Sequence, residues 1–382
     1  MKKTRLPHSE NETILIDERG MLDVPYLVLT MMLVGIGLVM LFSASYAWAI
    51  NYDLPSVYYF IRQAGFAAVG IGFMIFISRV NYQIWRFGSF WVLGISIFFL
   101  ILVQIPGLGV TRNGATRWIN IGFEFQPSEA AKMGMILTFA NPMSVYRDKM
   151  QTFKYGVLPF GVILGIIAAL LILQPHLSAT VIFCATGATM MILGGTRVRW
   201  LIVGAAAAGV LVMLYLKLFG YTSDRIVAWQ DPFKYADDKG YQIVQSLYAI
   251  GSGGLFGLGF GHSRQKYLYL PEAQNDYIFA IVCEELGIVG AVRIIVLFAL
   301  LVIRGYWIAL HARDRFGALV AAGLTTRLAL QVFFNVGVVT NLLPPTGISL
   351  PFFSYGGTAL MIQLAEMGIV LSISRWNTEK FI

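Results

Sequence analysis

The sequence predicts an all-α polytopic membrane protein of about ten transmembrane helices, with a large extracytoplasmic loop between the seventh and eighth. Three observations carry that prediction. Hydrophobic residues fill 57% of the 382 positions and charged residues only 13%, against roughly 25% charged in an average soluble domain. The apolar residues gather in windows of about 18 to 25, long enough to cross about 30 Å of hydrocarbon as helices. Between the windows, Lys and Arg favour alternate connections.

The first window, 26–46, follows a polar and charged tail over residues 1–25. No small-residue cleavage site comes after it, so the tail is expected to stay attached and not to act as a signal peptide. Windows at 58–78, 88–105, 128–144, 156–173, 177–194, 200–219, 277–303, 317–340 and 356–374 follow, and residues 376–382 form a short second tail. Residues 26–375 are therefore read as one ten-helix domain. Ten crossings bring both tails to one side. That side also receives Arg79, Arg86, Arg147, Lys149, Lys154, Arg197, Arg199, Arg304, Arg313 and Arg315, which makes it cytoplasmic by the positive-inside rule.

The net charge of +8 is then a consequence of topology. No basic stripe interleaved with aromatics supports nucleic-acid binding. The two cysteines, Cys184 and Cys283, lie in separate apolar windows without CxxC spacing and are expected to be free, buried thiols.

Three segments on the far side are too polar or too irregular for plain helix connections. Residues 106–132 include TRNGATRWINIGFEFQPSEAAK, with Arg112, Arg117, Glu129 and Lys132 and a turn-forming Asn113-Gly114. Gln126-Pro127-Ser128 suits the first turn of a helix. The connection 220–275 is the longest in the chain, too long for a hairpin. It reads as an amphipathic or re-entrant helix, a glycine-rich turn, then Arg264, Lys266 and, at its end, Asp276. In the third segment, LLPPTGISLPFFSYGG, prolines 344, 345 and 351 deny a regular helix. Such backbone at membrane depth requires protein or a watery cavity to satisfy its polar groups.

Glycines 251, 253, 254, 257, 259 and 261 lack a preceding strand and a following GK[ST], so close packing or a hinge is preferred over a phosphate cradle. Arg293, Arg327 and Glu366 fall near the middle of their windows. An intramembrane charge is costly, so Glu366 is expected to pair with at least one of the arginines. A structural pair is preferred to a proton or ion path, which would want several acids.

NGATRWINIG with FQPSEAAK, then YLPEAQNDYIFAIVCEELG, then PPTGISLPFFSYGG before a last window ending at Arg375 together resemble the SEDS family, the RodA and FtsW proteins. The resemblance runs from about Tyr26 to Arg375, and the loop wording is more similar to the FtsW and SpoVE branch than to RodA. It implies a peptidoglycan glycosyltransferase that polymerises lipid II at the outer face of the bacterial cytoplasmic membrane, beside a class B penicillin-binding protein. Asp276 matches the family's essential acidic loop residue, Glu129 and Lys132 match its QPSE-x-x-K motif, and Arg112 and Arg117 match basic positions of its NGA-x-RW string. His176 departs from the pattern, standing where many relatives carry Asp, and Arg293 and Arg327 stand where uncharged residues are expected.

Joining two sugars from a polyprenyl diphosphate requires a base for the acceptor hydroxyl and cations for the leaving diphosphate. Asp276, at a loop-to-helix junction, is the candidate base, with helix capping as the alternative. Arg112, Arg117, Lys132, Arg264 and Lys266 are candidates for the diphosphate, each with a lipid-headgroup contact as the plainer role. Glu129, three residues before Lys132, is placed to orient it. The four histidines have no ligand spacing, while a divalent cation such as Mg or Mn, bridging diphosphate and carboxylate, stays open. A lipid II flippase and a non-catalytic division scaffold are the competing readings. Neither accounts as well for polar motifs gathered on one face without an inverted repeat.

Overall fold

The protein's structure, a computed structural model, describes residues 20–112, 115–120, 122–206, 209 and 223–376; the side chains of Arg112 and of residues 223–225 lie outside that description. The membrane-spanning helices are α1 (Val24–Asn51), α2 (Tyr58–Arg79), α3 (Ile84–Leu102), α4 (Pro127–Val145), α5 (Leu158–Leu173) and α6 (Leu177–Gly194). After α7, described as helical over 198–206, come α8 (Ile278–Leu310), α9 (Arg315–Val339) and α10 (Gly357–Arg375). Most of the predicted seventh window, residues 1–19 of the first predicted tail and residues 377–382 of the second fall outside the described residues.

Among the described residues, eight helices are long and apolar enough to cross a membrane, and α4 is not one of them. Its first turns carry Glu129 and Lys132, and nearly its whole length is buried. It is an inner helix whose polarity is hidden by its neighbours. The stretches of α9 and α10 are 72% buried, against 22% for α2 and α3, so α4, α9 and α10 form the core. Phe76, Phe87, Trp91 and Phe98 face outward from the outer helices, as a lipid solvent permits. Helices in lipid gain little from apolar burial and associate by close packing. At Gly368 of α10 an added Cβ would lie 2.7 Å from the Met74 carbonyl of α2.

The side on which the described chain begins and ends is stapled by charge. Asp23 caps α1 by accepting from the Tyr26 amide at 2.9 Å, and Arg304 of α8 grips both its oxygens at 3.1 and 3.0 Å. Arg304 also lies 4.1 Å from the Trp307 ring centroid, and these partners let α8 run beyond the predicted end at 303. Asp314 caps α9 and accepts from the Tyr82 hydroxyl at 2.5 Å and Gln83 Nε2 at 3.0 Å. Burial and the adjoining Asp314 hold the Tyr82 phenol above its ordinary range.

Two departures from the sequence reading have local causes. The first segment is not simply a loop before a helix: β1 (Gly109–Arg112), β2 (Ala115–Asn120) and β3 (Glu124–Phe125) form an antiparallel sheet, with Arg112 opposite Ala115. Two short runs of Val, Thr, Trp and Ile on either side of Asn-Gly are a hairpin signal. Cys184 also departs: it is exposed on α6, while Cys283 is buried, and both are free.

Candidate active site

Asp276 lies just before α8, half-buried. Its surroundings are set by the third irregular segment. Asn335 of α9 donates through Nδ2 to the Asp276 carbonyl and the Ile348 carbonyl, both at 2.7 Å. Gln331, one turn earlier, donates to the Ser349 carbonyl and hydroxyl at 3.1 and 3.2 Å. Ser178 of α6 bonds the Thr346 carbonyl, and Gln63 of α2 bonds the Ser354 carbonyl at 3.1 Å and the Gly356 amide at 3.2 Å. Residues 344–356 are thus a strap whose backbone is satisfied by polar side chains of three helices, as irregular backbone inside a membrane protein requires. Gly347 sits against the base candidate: a Cβ there would be 3.5 Å from Asp276 Oδ2, and its φ of +68° favours glycine.

Below the strap lies a charge network that joins two motifs far apart in sequence. Lys132 Nζ pairs with Glu129 Oε1 at 2.8 Å. Arg327 of α9 reaches Glu129 Oε2 through Nη2 at 2.9 Å, pairs with Glu366 of α10, and holds Gln331 Oε1 at 3.3 Å. All four charged side chains are no more than 8% exposed. Two cations face two carboxylates, so the cluster is electrically balanced, and Gln331 links it to the strap. The expected pairing of Glu366 is made by Arg327; Arg293 is exposed on α8.

His176 stands between this network and the sheet, buried at 7% exposure. Burial first, then the neighbouring Arg117 and Lys132, push its pKa down to about 3. The imidazole is neutral at physiological pH and adds no third cation. Arg117, half-buried on β2, donates to the Pro175 carbonyl.

Arg264 and Lys266 are held elsewhere. Gly287 breaks α8 with φ 68° and ψ −174°, a backbone region that is essentially glycine's own. Glu284, just before the break, accepts from Ser263 Oγ and from the amides of Arg264 and Gln265 at 2.9 and 3.3 Å. Glu285 accepts from Ser43 of α1 at 2.6 Å and Lys266 at 3.1 Å, and Lys266 also donates to the Gly261 carbonyl at 2.7 Å. Lys266 is consequently a buried tie, 3% exposed, whereas the Arg264 side chain is exposed.

Of the sequence-predicted residues, Arg117, Glu129, Lys132 and Asp276 gather around the strap, Arg264 and Lys266 cluster at the α8 break, and the Arg112 side chain lies outside the described residues. Sequence reasoning missed Asn335 and Gln331, which build the strap; their spacing of four on an apolar helix was the available signal. Among the described residues no group of three or more His, Cys, Asp and Glu is arranged to hold a metal ion.

A multi-pass helical bundle thus holds a half-buried carboxylate, Asp276, beside a backbone strap that is linked to a balanced cluster of buried charge. Residues 25–379 match the family model described as "Cell cycle protein", which covers FtsW, RodA and SpoVE. The chain belongs to that family. It is 42% identical to "Stage V sporulation protein E" of Bacillus subtilis, over 93% of this chain and 97% of that protein. It is 39% identical to "Probable peptidoglycan glycosyltransferase FtsW" of Geobacter sulfurreducens, over 92% and 95%. Among solved structures it resembles a chain described under "Structural coordination of polymerization and crosslinking by a peptidoglycan synthase complex", with TM-score 0.77, 27% identity and coverage of 93% and 98%. Thermus thermophilus "Rod shape determining protein RodA" gives TM-score 0.69, 26% identity and coverage of 94% and 98%.

Proposed function

We infer that this chain is a peptidoglycan glycosyltransferase that polymerises lipid II into glycan strands, in division or sporulation, from the outer face of the bacterial cytoplasmic membrane. Its termini are cytoplasmic and its partner is a class B penicillin-binding transpeptidase. The observation that carries the reading is Asp276, held at a helix entrance by Asn335 and flanked by the Gly347 backbone. In the proposed step, its carboxylate takes the proton of the acceptor sugar's 4-hydroxyl as that oxygen forms a bond to the donor's anomeric carbon. The anomeric carbon's bond to the diphosphate breaks on the opposite face, so configuration inverts and undecaprenyl diphosphate leaves with the electron pair. Arg117 and Arg264, with Arg112, offset the charge on the departing diphosphate, where a forked guanidinium suits two phosphate oxygens. Glu129, Lys132 and Lys266 serve by positioning these elements, since their charges are already matched within the protein.

Labelled lipid II given to the purified protein, alone and with its transpeptidase, tests the reading. Glycan polymer is expected. Translocation without polymer would support a flippase instead, and neither activity would support a scaffold. The balanced network around Arg327 favours structure over a proton path, because it offers no excess acid.

A further inference from the structure

The glycine-rich turn after the loop helix Tyr241–Gly253 makes an unusual set of contacts. Leu258 and Gly259 donate their amides to the Glu284 and Glu285 carbonyls at 2.9 and 3.1 Å, and the amides of Ile288 and Val289 donate to the Gly254 and Leu255 carbonyls at 3.0 and 3.1 Å. These are the backbone groups that the break at Gly287 frees from α8. Only glycine permits the approach: a Cβ at Gly257 would lie 2.1 Å from the Glu285 carbonyl oxygen, and Gly254, Gly257 and Gly259 all have φ between +55° and +99°.

The depth of this turn can be read from two helices independently. Arg304 and Asp23 fix one level near the terminal end. Gly287 is 17 residues above Arg304 along α8, about 26 Å at 1.5 Å per residue. Met40 of α1, which shares a groove with Phe260 and Leu286, is also 17 residues above Asp23, about 26 Å. Both values fall within the roughly 30 Å of hydrocarbon. At that depth the exposed side chains of the turn are Leu255, Phe256, Leu258 and Phe260, at 63, 80, 37 and 46%. An aqueous loop would not present four exposed apolar side chains in six residues while satisfying its backbone against a broken helix; lipid demands both.

The groove itself has a volume of about 420 Å³ and is lined by Met32, Ile36, Val39 and Met40 of α1 with Phe260 and Leu286. Gly35 forms part of its wall, and nothing lies within 4 Å of where its Cβ would stand. Every side chain that lines it is apolar, and Lys266, at the same α8 break, is already paired with Glu285 and bonded to Ser43 and Gly261. The groove therefore offers hydrocarbon contact without a diphosphate site. We propose that residues 254–260 are a re-entrant segment immersed in the leaflet away from the termini, and that an acyl chain of a bilayer phospholipid fills the groove it closes against α1.

Spin labels at Phe256→Cys and Leu255→Cys, in a Cys184→Ser, Cys283→Ala background shown to retain polymerase activity, test the first half in vesicles of phosphatidylethanolamine and phosphatidylglycerol. Collisions with oxygen should exceed those with an aqueous nickel chelate at both positions, and the order should reverse at Asp237→Cys, exposed elsewhere in the loop. Chelate collisions dominating at 255 and 256 would overturn the proposal. For the groove, native mass spectrometry of the detergent-purified wild type should retain a phospholipid that Gly35→Leu loses. A retained species insensitive to that substitution, or a polyprenyl diphosphate lost with it, would contradict the assigned occupant.

Discussion

Two clusters of buried charge hold this molecule together, and they do different work. Around Arg327, four charged side chains from α4, α9 and α10 neutralise one another, and the surplus bonding capacity of Gln331 reaches up to the strap beside Asp276. Around the α8 break, Glu284 and Glu285 spend most of their oxygens on backbone amides and on Lys266 and Ser43, fixing a loop to a helix. The first cluster sets distances between helices under the site. The second sets the course of the chain that leads to it.

That difference can be broken at several points. The largest effect is expected for Arg327→Leu, which strands Glu129 and Glu366 without their common cation; removing one partner of a buried pair costs about 3–5 kcal/mol. Thermal unfolding in detergent should show the loss, and Glu366→Gln in the same chain should restore part of it. Next comes Gly287→Ala. It forces alanine into a glycine-only conformation and places a Cβ 2.3 Å from the Gly257 amide, for a cost of about 1–3 kcal/mol from the backbone alone. Limited proteolysis within 254–266 should accelerate while the Arg327 cluster stays protected. Arg264→Ala should leave stability unchanged and lower kcat/KM about tenfold, roughly 1.4 kcal/mol, because the side chain is exposed and its amide, not its guanidinium, anchors the turn.

The effect that is smallest at neutral pH is that of His176. His176 is held neutral down to about 3, whereas in the unfolded chain an imidazole charges near 6.5. The unfolded state therefore takes up the proton first as pH falls, and this residue's share of stability is present above 6.5 and declines as pH falls from there toward 3. His176→Gln should flatten the stability profile across that window. An unchanged profile would remove His176 from the account.

The helical class and most helix positions were legible in the sequence because apolar windows report lipid contact directly. The break in α8 was not: apolar periodicity runs straight through Gly287, and only the contacts of Gly257 and Leu255 reveal why glycine stands there. Glu129 and Lys132 were readable as a pair from their spacing. Their depth was not, because the partner Arg327 lies 198 positions from Glu129, and charge near a helix start reads as surface until a partner is seen. Lys266 misled in the same way, as a basic loop residue whose carboxylate partner belongs to an apolar window. Asp276 was legible through its motif, while the Asn335 and Gln331 side chains that frame it looked like ordinary polar residues on a helix.

The central claim is that Asp276 performs the proton transfer while the buried clusters only hold its surroundings. Glycan polymer formation by Asp276→Ala, in a protein whose unfolding temperature matches the wild type, addresses it most directly. A fall of about 10²–10⁴-fold, the span of a lost general base, is the expected result with labelled lipid II. Polymer formation at the wild-type rate would contradict it.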